Sequence, residues 1–394
     1  MEAYLDYNST TPVDPAVFEA MKPFLSEVFG NASSFHQEGQ RARHAVETAR
    51  ERLADYLSVE PGDIVFTSGG TEADNLAIKG TLEWLKDKRR HLVVSAIEHQ
   101  AVLHPAQYLE KQGVRVSFVP VDRAGLADLD FLKKEVTQDT ALVSIMHVNN
   151  EVGTIQPIKE MARIAHEKGA LFHTDAVQSF GKLKIDLENT GADMMSVSGH
   201  KICGPKGIGA LFLRKGLKIK PVTHGGHQEK NIRPGTENVA AIVGFGKAVE
   251  LAAKNQVEES ARVLELRNRL HEGLKKSVPD IHLNGHPEKR IYNTLNLSFE
   301  RLDGETLLMN FDLKNIYTST GSACTAGSVE PSHVLIAMGL PESLARAAIR
   351  FSVGRFTTEE EIDYALAQIP PVIERLRRSS TRTKANLPEH TKLP

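Results

Sequence analysis

Cysteine is almost missing from this chain: Cys203 and Cys324 are the only two in 394 residues. Two thiols cannot build a disulfide framework, and such sparing use fits a reducing compartment where a free thiol persists. Neither sign of charge is in excess. Lys and Arg number 48 against 50 Asp and Glu, for a formal net charge of -2. With no long single-sign run, neither a nucleic-acid surface nor a polybasic membrane patch is indicated. Long apolar runs are lacking as well, and the opening Met1-Glu2-Ala3-Tyr4-Leu5-Asp6 has no basic stretch leading into an apolar one, so no signal peptide or membrane span is expected. These absences predict a cytoplasmic protein whose partners are small molecules or other proteins. Internal repeats and low-complexity segments are lacking too.

What remains is a chain long enough for a large domain and a smaller one. From Asp63 to Leu213 short β-branched runs alternate with helical patterns, which predicts a mostly parallel sheet with helices on both faces. Strands are expected at 64–66, 91–95, 114–118, 141–145, 170–173 and 209–213. A long amphipathic pattern from Val239 to about Lys275 is suited to bridging out of this layer. A second, α+β domain should then hold strands at 295–299 and 349–352, and a last helix starting near Thr358. The expected boundaries are 14–255 for the large domain, 1–13 with 256–379 for the small one, and 380–394 for a polar, mobile tail.

The chemistry begins at Ser198-Gly199-His200-Lys201, which follows an apolar run and precedes a glycine-rich turn, Gly204 to Gly209. A lysine amine desolvated there loses proton affinity and suits Schiff-base formation. Pyridoxal 5'-phosphate is the fitting aldehyde, and its ring needs a carboxylate at the pyridine nitrogen. Asp175, at the end of the run 170–174, is placed for that at a strand's carboxyl end. A surface lysine and a helix-capping aspartate are the plain alternatives.

Thr67-Ser68-Gly69-Gly70-Thr71 reads as strand, glycine turn and helix start, whose free amides can hold a phosphate with help from the Thr71 hydroxyl; an ordinary helix cap reads the same way. Ser198 and His200 could add donors from the other side, or simply bond within their turn. His99 follows a strand and could stack on the ring or shuttle protons, although a satisfied, partly buried histidine is the commoner case. Asn149, Asn150 and, three residues past Asp175, Gln178 offer amides near the ring hydroxyl or the substrate carboxylate, with Gln178 expected on the next helical turn. Thr236, in the loop 231–238, could serve a phosphate of a neighbouring subunit. Arg350 could clamp a carboxylate with its planar fork, or form a surface ion pair. The pair His224 and His227 flanks two glycines, which argues against a helix that would align them on a metal. Cys324 sits among Ser, Ala, Thr and Gly in the loop 320–331 and reads as a reactive thiol on a mobile loop; Cys203 reads as a packing residue.

Taken in order, these motifs resemble the NifS/IscS-type cysteine desulfurases, of the class-V aminotransferase family. The likeness starts at Tyr4-Leu5-Asp6-Tyr7-Asn8-Ser9-Thr10-Thr11-Pro12 and runs through 67–72, Glu98-His99, 149–153, 175–178, 198–201 and 233–238 to the cysteine loop and Arg350-Phe351-Ser352. The loop through Cys324 to His333 is similar to the group I, iron-sulfur-assembly branch. The resemblance implies the fold-type I, aspartate-aminotransferase-like architecture: an α/β large domain with a mostly parallel seven-stranded sheet, plus a smaller α+β domain. It implies that Lys201 carries the cofactor and Asp175 holds the pyridinium proton. His99 would stack on the ring, with Asn150 and Gln178 on its hydroxyl side. Gly70, Thr71, Ser198 and His200 would bind phosphate, joined by Thr236 from the second subunit of a homodimer. Arg350 would receive the carboxylate of L-cysteine, which would leave as L-alanine with its sulfur on Cys324 as a persulfide. The sulfur would pass to an acceptor protein, an iron-sulfur scaffold or a tRNA-thiolation enzyme. No intrinsic metal is implied beyond Cys324 as a transient iron-sulfur ligand. Gly69-Gly70 departs from a frequent Gly-Ala pair, without loss of a functional group. A selenocysteine lyase, an ordinary aminotransferase and a non-catalytic relay protein are the rival readings; intact Lys201, Asp175 and Cys324 count against the last.

Overall fold

The structure is a computed structural model and describes residues 1–320 and 330–385. Seven strands form the central sheet: β2 (Ile64–Thr67), β3 (His91–Ser95), β4 (Arg115–Val119), β5 (Thr140–Ser144), β6 (Leu171–Asp175), β7 (Met194–Ser198) and β8 (Gly209–Leu213). Their spatial order is β2-β8-β7-β6-β5-β3-β4. All neighbours run parallel except those of β8, which is antiparallel to both β2 and β7. Strands covered on both faces need no polar alternation, which explains the continuous burial of β2, β3, β5, β7 and β8. Edge strand β4 is instead largely exposed or half-buried, with only Val119 buried.

One apolar core packs the helix Gln37–Leu57 and the first half of the helix Val239–Ser277 on one sheet face; another lies under the helices Gly70–Leu85 and Gln100–Lys111 on the other. A further core gathers Ala3, Leu5, Leu295, Leu297, Phe299, Ile349 and Phe351 with helix residues Val263 to Leu274 and Ile362 to Ile373. The helix Val239–Ser277 therefore feeds two cores, Ile242, Phe245 and Val249 into one and Val263, Leu266 and Leu270 into the other. That is the bridging expected of its pattern. In the second region β9 (Ile281–Asn284), β10 (Thr294–Phe299) and β12 (Ala348–Ser352) form an antiparallel sheet ordered β12-β10-β9, and β1 (Ala3–Tyr4) pairs in parallel with β11 (Ile316–Tyr317).

Two expectations need correction. Gln178 stands on consecutive tight turns after β6, not on a helix. The last helix continues from Glu359 through Ala385, past the Ser379 boundary expected for the tail; its polar composition does not oppose helix, since Arg, Lys and Ala rank among the better helix formers. Among the described residues no helix is long and apolar enough to cross a membrane.

Candidate active site

The topology brings three strand ends to one edge. Because β2 and β7 are both antiparallel to β8, they run the same way, and the register places Thr67 and Ser198 on either side of Gly209. The helix that opens at Gly70 thus begins beside the short helical turn Gly199–Lys201. Gly209 makes this approach possible: a Cβ there would lie 2.7 Å from Gly69 Cα and 2.6 Å from the Val197 carbonyl oxygen. Gly69 adopts φ +155°, open to glycine and rarely to other residues. On the next strand over, β6 ends at Asp175, opposite Ser196 of β7.

A cavity of about 340 Å³ opens at this edge. Gly70, Thr71, His99, Asn150 and Asp175 line it, as do Gln178, Ser198, His200, Lys201 and Arg350. Ten separate sequence expectations therefore meet in one place. Thr236 does not line it and is exposed. Its loop and the turn before it are fastened to the helices Gly70–Leu85 and Gln37–Leu57 by the ion pairs Arg233–Glu72 at 2.9 Å and Glu229–Arg50 at 2.6 Å. Cys324 lies outside the described residues. A wider surface groove, about 730 Å³, is lined by Arg301, Arg377 and Arg378 among others. Those cations are engaged by Asp280, by backbone carbonyls and by Glu374 respectively, so it offers weaker anion chemistry.

The N-terminal segment threads through the cavity. Lys201 Nζ donates to the carbonyls of Asn8 at 2.5 Å and Ser9 at 2.7 Å, while Gln178 Nε2 donates to the same Asn8 oxygen at 3.0 Å. Thr10 Oγ1 contacts His200 Nδ1 at 3.0 Å. Arg350, only 3% exposed in its side chain, donates to Asp6 Oδ1 at 2.8 Å, Ser9 Oγ at 2.7 Å and the Asn150 carbonyl at 2.9 Å. Its ion pair is therefore a buried one inside the site, not the surface pair that was its alternative.

Burial dominates the electrostatics. Asp175 is pushed up to about 6 by burial, with the Val177 amide and the Lys201 charge pulling the other way. Asp74, one turn beyond Gly70 and also in the cavity, is raised well above the usual carboxylate range by burial and by the nearby Asp175. Burial, aided by the charge of Lys201, lowers His99 to about 4 and His200 to about 3. His99 Nδ1 accepts from the Ala101 amide at 3.1 Å, so the neutral ring carries its proton on Nε2. Cys203 is pushed up to about 11 by burial, which suits packing and not nucleophilic work.

The cavity's own polar atoms fit a phosphorylated pyridine. Among the described residues Ser198 Oγ, Asp74 Oδ1 and Arg350 Nε are buried without a hydrogen-bond partner, a costly state that a ligand offering both anions and a basic nitrogen relieves. The Ser198 hydroxyl lies beside the amides of Gly70 and Thr71 at a helix N-terminus, where an anion is favoured. Sequence reasoning left Asp6, Asn8, Ser9 and Asp74 out of the site. For Asp74 the i, i+4 spacing from Gly70 was a usable signal; for Asp6 only the polar motif at the N-terminus was.

Comparison with known proteins agrees with this geometry. The aminotransferase class-V family model matches residues 3–365. The chain is 49% identical over 379 residues to the cysteine desulfurase IscS of Dictyoglomus turgidum, covering 96% of each protein. It is 50% identical over 380 residues to the cysteine desulfurase IscS of Methanosarcina thermophila, covering 96% of this chain and 94% of that one. Among solved structures, a NifS-like protein superposes with a TM-score of 0.90 at 41% identity, over 95% of this chain and all of its own. One titled "SspA in complex with cysteine" gives a TM-score of 0.80 at 39% identity, over 90% of this chain and 100% of that one. Family, fold and pocket converge: this chain belongs to the pyridoxal-phosphate-dependent aminotransferase class-V family and, within it, to the cysteine desulfurases of the NifS/IscS type.

Proposed function

We propose that this enzyme takes sulfur from L-cysteine onto Cys324 and leaves L-alanine, with the cavity residues in the following roles. Lys201 Nζ is the amine that carries pyridoxal phosphate, and Gly70, Thr71, Ser198 and His200 hold the phosphate. Asp175 keeps the pyridine nitrogen protonated, its carboxylate charge being stabilised by the cation it faces. His99 lies against the ring, and Asn150 and Gln178 serve its hydroxyl side. Arg350 receives the substrate carboxylate through its unpaired Nε. When bound, the cofactor supplies an aldehyde for amine exchange and a sink for the electrons released at the substrate's α-carbon.

The remaining chemistry belongs to the chain. Lys201 takes a proton from the substrate and returns it, a role supported by the Asn8 and Ser9 carbonyls that accept from its Nζ and would keep the freed amine close. The Cys324 thiolate forms a bond to the substrate sulfur as the carbon-sulfur bond breaks, the electron pair goes to carbon, and a proton follows it to give alanine. The single observation that carries this reading is the meeting of Lys201, Asp175 and Arg350 around one cavity that retains unpaired buried donors and acceptors. We assign Thr236 to the phosphate of a second protomer in a homodimer, a cytoplasmic setting to the enzyme, and a sulfur-accepting protein to the persulfide; we divide the chain into a large domain, 14–255, and a small one, 1–13 with 256–379, a reading supported by the core that gathers Ala3 and Leu5 with Leu295 and Phe351.

Steady-state production of alanine and sulfide from L-cysteine, in the presence of a reductant, tests the assignment. Lys201→Ala abolishes both products. Cys324→Ala removes sulfur transfer. A Cys324→Ala enzyme releasing sulfide at the parental rate would overturn the thiol's role and favour an ordinary aminotransferase fold with incidental desulfuration.

A further inference from the structure

Behind the cavity, on the side of the Lys201 stem, a second lysine is folded into the protein. Lys182 Nζ donates to Gln178 Oε1 at 3.0 Å. Gln178 Nε2 in turn donates to the Asn8 carbonyl at 3.0 Å, and that same oxygen accepts from Lys201 Nζ at 2.5 Å. A continuous chain therefore runs from one ammonium through an amide and a carbonyl to the other. Its polarity is set at the far end: an ammonium has only donors, so Lys182 fixes the Gln178 amide with oxygen towards itself and nitrogen towards Asn8.

We propose that Lys182 is a positioning residue for the Lys201 amine, orienting Gln178 and the Asn8 carbonyl that hold it and discouraging, through its own charge, a proton on the Lys201 nitrogen. Two ammonium groups at the ends of so short a chain, lining one narrow cleft, oppose each other's protons. In agreement, burial pushes Lys182 down to about 7, and the charge of Lys201 pushes in the same direction. Such repulsion is mutual, so the nitrogen of Lys201 is biased towards the neutral, nucleophilic form by the same interaction.

Other groups around Lys182 do not cancel this. The turn after β7 contributes Lys201 and Cys203, the long bridging helix contributes Glu259, and β12 contributes Arg350. The narrow cleft where Lys182 sits also holds Arg355 and the phenols of Tyr7 and Tyr292. Glu259, the one carboxylate of this set, is taken by Arg355 at 2.7 Å, which is itself also paired with Asp14 at 3.0 Å. Cys203, Tyr7 and Tyr292 are all raised by burial and stay neutral. Among the described residues Glu259 is the one carboxylate acting on Lys182, and Arg355 holds it; Asp175, whose charge reaches Lys201 from β6, is common to the parent and every Lys182 variant.

The inference rests on Lys201 being the cofactor-bearing lysine. Its test is the pH titration of the bound cofactor's absorption band in the holoenzyme, which reads the proton on the Lys201 nitrogen directly. Removing the charge with Lys182→Met or Lys182→Gln raises the midpoint by about one pH unit, as expected for loss of a near like charge. Lys182→Arg keeps it close to the parental value. A second readout is the pH dependence of Lys201 acetylation by trace acetic anhydride in the full chain freed of cofactor, followed by peptide mass spectrometry; the same order is expected. An unmoved midpoint in both neutral variants, or an arginine variant shifted like the methionine one, would overturn the proposal. Failure of the underlying reading looks different, since then the parental enzyme has no lysine-bound cofactor band to titrate.

Discussion

Substitution of Arg350 separates what the guanidinium does for the fold from what it does for the substrate. Its side chain is 3% exposed and that of its partner Asp6 is 17% exposed, with 2.8 Å between them. Breaking a buried ion pair from one side costs about 3–5 kcal/mol. Asp6 keeps some water, so Arg350→Ala belongs at the lower end, about 3 kcal/mol. Asp6→Asn is milder, about 1–2 kcal/mol, because Arg350 retains Ser9 Oγ and the Asn150 carbonyl. In a double-mutant cycle followed by urea denaturation with far-UV circular dichroism, the two losses should fall short of additivity by about 1–2 kcal/mol. Kinetics should split the variants. Arg350→Ala lowers kcat/KM for L-cysteine by about a hundredfold through loss of a charge-assisted carboxylate contact. Asp6→Asn leaves KM unchanged or lowers it, since the guanidinium is no longer neutralised by a competing carboxylate. Full additivity in the cycle, or an Asp6→Asn enzyme whose KM rises as steeply as that of Arg350→Ala, would refute this division of labour.

Three more outcomes follow from the site. Ser198→Ala should weaken cofactor affinity about tenfold, yet leave the cofactor-free chain equally or more stable, because it deletes a buried hydroxyl that has no partner; equilibrium dialysis and urea midpoints read the two effects. In the cofactor-free chain the raised Asp175 contributes stability that is complete below its ordinary value near 3.8 and is lost as pH rises through about 6. Asp175→Asn should therefore raise the urea midpoint relative to the parent at pH 8 and give no gain at pH 3.5. His99, lowered to about 4 and engaged through Nδ1, should remain neutral from pH 6 to 9, and nitrogen-15 spectra of its ring in the cofactor-free chain should show no protonation step in that interval.

Much of the large sheet was legible because strands covered on both faces are written as short unbroken apolar runs, and because the groups with chemistry stand just beyond them. Asp175 closes β6, Ser198 closes β7, and Lys201 follows within one turn. What escaped was nonlocal. Asp6 and Arg350 are 344 positions apart, and nothing in either neighbourhood announces the other. The two-residue strands β1 and β11 are too short to carry a period. Lys182 reads as one more surface lysine until the turns after β6 fold it beneath Gln178. The helix beyond Ser379 was obscured by polarity and by Pro370-Pro371 upstream, although the apolar residues Ile362, Ile369 and Ile373 that anchor it are plain in the sequence.

Peptide mass spectrometry of the holoenzyme after brief incubation with L-cysteine tests the central claim most directly. The account predicts the mass of one added sulfur atom on the peptide bearing Cys324, alanine in equal amount, and neither product in Lys201→Ala. Sulfur found on Cys203 instead, or alanine formed with no modified Cys324, would contradict it.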